Sequence, residues 1–303
     1  MKVKHTRMLE KLFLPPLLVL CLLLASCTES VAPVYQGPDI QIIGHEFYKD
    51  LEFEFKRHSY QLDALDKGVP SIILKSLPGD LHQIRSGKQK KTFFFKALLP
   101  MVLLANDEIR FEREQLLKTK KVLASQQHLT SAQMHILSSL AERYKIKLDP
   151  EAPDQAINKL LHRIDIIPAD LVLAQAANES GWGTSRFSRV ANNLFGEWTF
   201  IQGQGIIPEG RPEGETYEVQ KFATVYESVR SYLQNLNSHA AYKPLRQIRA
   251  ESRSAGINPD GLKLAEGLLR YSVRGEDYVR ELQAMIRKNK LSRFASTKLR
   301  TRG

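Results

Sequence analysis

The chain has 303 residues, 43% of them hydrophobic and 25% charged, and a formal net charge of +11. That length and balance suit a packed core in one or two domains and exclude a disordered polypeptide. Its two cysteines, Cys21 and Cys27, both lie near the start, which leaves the rest without a disulfide or a thiol nucleophile.

Residues 1–26 read as an export signal. Lys2, Lys4, Arg7 and Lys11 precede an apolar run over residues 12–24, and Leu24-Ala25-Ser26-Cys27 follows. Those last four residues resemble a bacterial lipobox. The resemblance implies lipidation of Cys27, a membrane anchor through it and, with Thr28 rather than an aspartate next, an outer-membrane lipoprotein facing the periplasm. A retained transmembrane anchor is the weaker alternative, because the run is short and carries Pro15 and Pro16. Without residues 1–26 the chain keeps 40 Lys/Arg against 32 Asp/Glu. Such a balance suits an anionic polymer or an acidic membrane surface, or serves solubility alone.

From residue 28 the chain reads as a Ser/Pro/Gly tether. A mixed charged and apolar helix is expected over residues 47–65, then a short apolar stretch over 69–77 closed by Pro78-Gly79. The apolar run 93–105 is broken by Lys96 and Pro100 and falls short of the roughly 18–20 residues a span needs, so residues 90–117 predict a kinked, buried helix. Further helices are expected over 131–144 and 153–166. Pro168 marks N1 of another, which Gly181 terminates. After Asn192 the texture turns to Gly, Pro and strand formers, predicting a hairpin with a long loop. Helices resume over 228–242, 259–269 and 276–288. Residues 287–303 hold seven Lys/Arg and no acid and predict a mobile tail. No aromatics interleave its charges, so no nucleic-acid partner is expected.

The chemistry gathers at Asn178-Glu179-Ser180-Gly181-Trp182-Gly183. A carboxylate in the last turn of a helix meets the negative end of the helix dipole. The apolar surface of Ala176, Ala177 and Trp182 adds desolvation, and both influences favour the protonated form. A carboxylic acid held neutral near pH 7 is what general-acid cleavage of a glycosidic bond requires. An exposed helix-end glutamate is the bland alternative.

The runs AQAANESGWGTSRF and NNLFGEW, with TYE, FATVYESVRSY and RYSVRGEDYVREL, cover about half the chain. They resemble the glucosaminidase family of cell-wall hydrolases, glycoside hydrolase family 73. VPSIILKSLPGDL and KKTFFFKALLPMVLLANDEI further resemble its Bax-type bacterial subgroup, extending the likeness nearly end to end. The resemblance implies a mainly α, lysozyme-like (α+β) catalytic domain with a small β-hairpin lobe, preceded by a helical N-terminal region. The expected divisions are a tether over 27–45, a helical region over 46–130, the catalytic domain over 131–290 and a basic tail over 291–303.

It also implies peptidoglycan glycan strands as substrate, cut after N-acetylglucosamine, with no metal or cofactor. Glu179 takes the general-acid role. Glu218 matches the second carboxylate, ahead of Glu215 and Glu213, unless the substrate's own acetamido group assists. Tyr226 and Tyr271 match cleft tyrosines, although a core tyrosine is an equal reading of Tyr226. Asn193 and Phe195 are expected to shape the cleft floor and Trp198 to stack on a sugar. Glu197-Trp198 departs from the family, which commonly has an aliphatic residue and lysine there, and Glu197 receives no role. The alternatives are a muramidase or lytic transglycosylase of similar fold, and a non-catalytic peptidoglycan-binding lipoprotein.

Other signals are weak. His45-Glu46 is not completed into a zinc motif, and Ser180 has no nucleophile elbow. The sequon at Asn178 has no use in a bacterial lipoprotein. Gly203-Gln204-Gly205 is a lone GxG, not expected to cradle phosphate.

Overall fold

A computed structural model describes residues 35–300. The leader and Cys27 lie outside the described residues. Near the start, β1 (Gln41–Ile43) pairs in parallel with β2 (Ile72–Leu74), and α1 (Tyr48–Arg57) joins them as a small β-α-β unit. The expected tether over residues 27–45 is therefore corrected at its end, since β1 lies inside it. The helix expected over 47–65 stops at Arg57.

α2 (Gly87–Ala124) is one helix of 38 residues with Pro100 inside it. Ser86 caps it by accepting the Gln89 N–H at 3.3 Å. Apart from the half-buried Lys96, its residues from Phe93 to Asn106 are buried all round, as expected of a helix at the centre of a fold. It packs against α4 (Pro153–Arg163), α5 (Ala169–Ser180) and α7 (Val225–Ser238). The hydrophobic core thus runs without a break across residue 130. Among the described residues no helix is long and apolar enough to cross a membrane.

α3 (Ser131–Arg143) opens with a capping box between Thr130 and Gln133. Pro168 serves as the N-cap of α5, one place before the expected N1. Buried Asn106 on α2 sets the entry to α5: it accepts the Ile167 N–H at 3.0 Å and donates to the Ile167 carbonyl at 2.8 Å. α8 (Lys243–Ser254) was not expected from the sequence. It contributes Arg249, fully enclosed, which donates to the Asp165 carbonyl at 2.9 Å, the Arg163 carbonyl at 2.7 Å and Asn237 Oδ1 at 2.7 Å. Beside it Arg253 meets the Asp165 carboxylate through two hydrogen bonds of 2.9 Å. These bonds satisfy the α4–α5 connection, whose carbonyls would otherwise be buried unpaired.

The expected hairpin is a three-stranded antiparallel sheet in the order β3-β5-β4: β3 (Trp198–Thr199), β4 (Gly205–Ile206) and β5 (Glu218–Gln220). α6 (Arg186–Val190) precedes it, and α9 (Gly261–Leu264) and α10 (Glu276–Lys288) complete the helices. The chain is mainly α with a few short strands, consistent with a lysozyme-like α+β arrangement. The mobile tail is a further correction. Leu291 and Phe294 are fully buried against α5. Val69 donates to the Lys298 carbonyl and accepts the Arg300 N–H, each at 2.9 Å. The tail is the closing strap of the N-terminal unit.

Candidate active site

α5 is buried on every side from Ala169 to Ala177, so its end delivers the half-buried Asn178 and Glu179 to the edge of the core. Gly181 caps it at φ 56°, and Trp182 and Gly183 stay left-handed at 62° and 80°. Three such residues turn the chain sharply off the helix axis, a conformation glycine adopts without strain. A Cβ on Gly183 would also lie 2.7 Å from Leu77 Cδ1. Ser180 ties the turn together, donating to the Ala176 carbonyl at 2.6 Å and accepting the Gly183 N–H at 2.8 Å. Trp182 holds this turn. Its ring meets Phe94 and Phe95 of α2 at 5.9 and 5.3 Å between centroids, with the Lys91 ammonium 4.9 Å away.

The aromatic surroundings of Glu179 come from other elements. Tyr278 of α10 donates its hydroxyl to Glu179 Oε1 at 2.7 Å and accepts from Gln175 Nε2 at 2.9 Å. Gln175 in turn accepts from the Tyr232 hydroxyl of α7. Tyr271 stacks on Tyr278 with 5.5 Å between centroids, and Phe195 stacks on Tyr232 at 3.9 Å. The Tyr271 hydroxyl donates to the Phe195 carbonyl at 2.9 Å, closing the cluster. Burial raises the Glu179 carboxyl above the usual carboxylate range. Hydrogen bonds from Tyr278 and Asn178 and the charge of Arg274 oppose it without cancelling it. A carboxyl biased toward its neutral form beside an aromatic surface can give a proton to a leaving oxygen.

The other expected residues divide. Tyr271 and Phe195 belong to this cluster. Asn193 makes the loop before β3, donating to the carbonyls of Glu197 at 2.8 Å and Gln220 at 2.9 Å and accepting the Glu197 N–H at 3.0 Å. Trp198 stands 53% exposed on β3, its ring edge-on to Tyr217 at 4.7 Å. Tyr226 is drawn elsewhere: its hydroxyl donates at 2.6 Å to Glu108, which also pairs with Arg230.

Glu218, on β5, is held by its own lobe. Its carboxylate accepts the Gly203 N–H at 3.0 and 3.1 Å and the Gly205 N–H at 2.8 Å. These bonds lower its pKa below the usual range. The residue is 6% exposed, its cover being this turn. The GxG run is thus an anion cradle after all, filled by the chain's own carboxylate.

Gln175, Tyr232 and Tyr278 escaped the sequence reading. The signal was present for two of them, since both tyrosines fall within motif runs already singled out. Among the described residues no group of three or more His, Cys, Asp or Glu side chains gathers as a metal site. A cavity of about 680 Å³ opens between residues 62–68 and 293–299, and none of its lining residues belongs to the Glu179 cluster. Chemistry, not cavity size, marks the site.

Residues 154–291 match the Glucosaminidase family, described as mannosyl-glycoprotein endo-beta-N-acetylglucosaminidase. Protein bax of Escherichia coli strain K12 is 36% identical over 214 residues, spanning 71% of this chain and 74% of that protein. No solved structure matches.

Proposed function

The chain belongs to the glucosaminidase family, and on that premise we propose that it hydrolyses the β-1,4 bond after N-acetylglucosamine in peptidoglycan, with Glu179 as general acid. One observation carries this reading. The Glu179 carboxyl sits half-buried at the end of α5, biased toward its neutral form and aimed by Tyr278. Protonation of the glycosidic oxygen lets the C1–O bond break through an oxocarbenium-like transition state. Tyr271 and Trp198 offer rings to sugar faces, and Asn193 and Phe195 shape the loop beneath them. Tyr226, its hydroxyl held by Glu108, stands apart from these groups.

A second carboxyl must activate water or steady the developing cation. The family pattern implies Glu218, which would have to leave the Gly203 and Gly205 amides to act. That engagement favours, as the second reading, a muramidase or transglycosylase that manages with one carboxylate. The export signal and Cys27 support an outer-membrane lipoprotein facing the periplasm, with glycan strands as its partner.

The test uses the chain from Thr28 onward on purified peptidoglycan, with borohydride reduction and mass spectrometry of the new ends. Reduced N-acetylglucosamine, absent with Glu179→Gln, supports the proposal. Reduced or anhydro N-acetylmuramic acid reassigns the bond and selects the second reading. Undiminished turnover by Glu179→Gln removes the acid assignment.

A further inference from the structure

Glu197 is the residue with an unassigned charge and the least explained surroundings. It lies two places beyond Phe195, in the loop that Asn193 pins by its N–H and carbonyl. Its Oε2 accepts from the Ser231 hydroxyl at 2.9 Å, and Ser231 directly precedes Tyr232. Its Oε1 is buried with no hydrogen-bond partner. An unpaired carboxyl oxygen away from water is costly, and a fold retains one where something else meets it.

Hydrogen bonds, a ring stack and the α7 backbone link Glu197 to Glu179. From Glu179 hydrogen bonds pass through Tyr278 and Gln175 to Tyr232. Tyr232 stacks on Phe195, and Glu197 is anchored to the residue next to Tyr232. The two carboxyls therefore border one aromatic cluster from different elements. Both charges are felt at the Tyr232 and Tyr242 hydroxyls. Glu218 is otherwise engaged, accepting from two amides.

Resting on the glucosaminidase reading, we propose that Glu197 is the second carboxyl of the reaction, taking a proton from the water that attacks C1 while Glu179 protonates the departing oxygen. The C1–O4 bond breaks and a C1–O bond to water forms. The Glu179 proton goes to O4, and one water proton goes to Glu197 Oε1. Solvent then reprotonates Glu179 and deprotonates Glu197. Burial lifts the Glu197 carboxyl to about 7 against an opposing bond from Ser231, so it is a stronger base than an exposed glutamate and still ionises near neutrality. The amides that hold Glu218 make it a weaker base. Oε1 has no partner in the folded chain, and the hydrogen bonds of a catalytic group are often completed only in the complex with substrate.

The experiment is azide rescue on purified glycan strands with Glu197→Ala, Glu218→Ala and the isosteric Glu197→Gln. Both Glu197 variants should lose roughly 10³-fold in kcat with the far-ultraviolet spectrum intact. Azide should restore Glu197→Ala by about tenfold or more, yielding an α-glycosyl azide by mass spectrometry and nuclear magnetic resonance. A merely structural residue would give no such product. Rescue of Glu218→Ala instead, or of neither variant, overturns the proposal while wild type stays active and Glu179→Gln inactive. Wild type without activity, or an active Glu179→Gln, defeats the underlying reading and this proposal with it.

Discussion

Replacing Glu197 by glutamine should change how stability depends on pH, whatever it does to catalysis. The carboxyl rises from an ordinary 4.5 to about 7 in the folded chain because burial disfavours its charge. A difference of that size corresponds to about 3 kcal/mol of preference for the neutral form. Between those two values the folded chain holds a proton that the unfolded chain has released. Stability therefore falls as pH rises through this window and levels off above the folded value. Glutamine keeps the Ser231 contact and carries no charge to expose. Urea unfolding of wild type and Glu197→Gln from about pH 4.5 to about pH 8 isolates the effect as a difference, since other titrating groups act on both chains. The variant should become the more stable above neutrality by about 3 kcal/mol, or ~5–10 °C in Tm. Parallel curves would refute the claim that this carboxyl is buried and titrates near pH 7.

Tyr278→Phe removes the hydrogen bond that stabilises the Glu179 carboxylate. Glu179 should then ionise at higher pH, and the alkaline limb of the kcat profile should move upward; an unmoved limb would detach Tyr278 from the acid. Gly267→Ala places a Cβ 2.3 Å from Leu245 Cα, where backbone has to give way. A loss of about 1–3 kcal/mol is expected by denaturant midpoint. Deleting residues 291–303 removes the wholly buried Leu291 and Phe294, at about 1.5–3 kcal/mol each. Wild-type stability in the shortened chain would show that the strap does not dock.

Punctuation made the site legible. Pro168 and Gly181 bracket α5 within one residue of its observed start, and the raised carboxyl at its end was expected from the dipole and the alanine-rich face. Trp182 is Glu179's neighbour in sequence, but its indole is claimed by α2, a contact that sequence proximity does not reveal. α8 was missed because its inward face includes Arg246 and Arg249, so apolar periodicity, the signal for a helix, is thin there. β1, three residues long, gains its identity only from β2, some thirty positions on. Composition likewise predicts a mobile basic tail, whereas Leu291 and Phe294 sit buried among its charges. Glu197 was visible only as a departure from a family pattern; its hydrogen-bond partner, Ser231, lies 34 positions on, outside any local window.

The pairing of Val69 with Leu299 joins segments about 230 positions apart. A ribosome makes that strap about 230 residues after Val69, so the nascent N-terminal unit waits through all of the intervening synthesis without its closing partner. Any chain ended early leaves the edge at Val69 and the groove beneath Leu291 and Phe294 uncovered. The presence of the strap is thereby written into the surface: a protease that cleaves exposed apolar backbone can tell a copy that carries it from one interrupted before it.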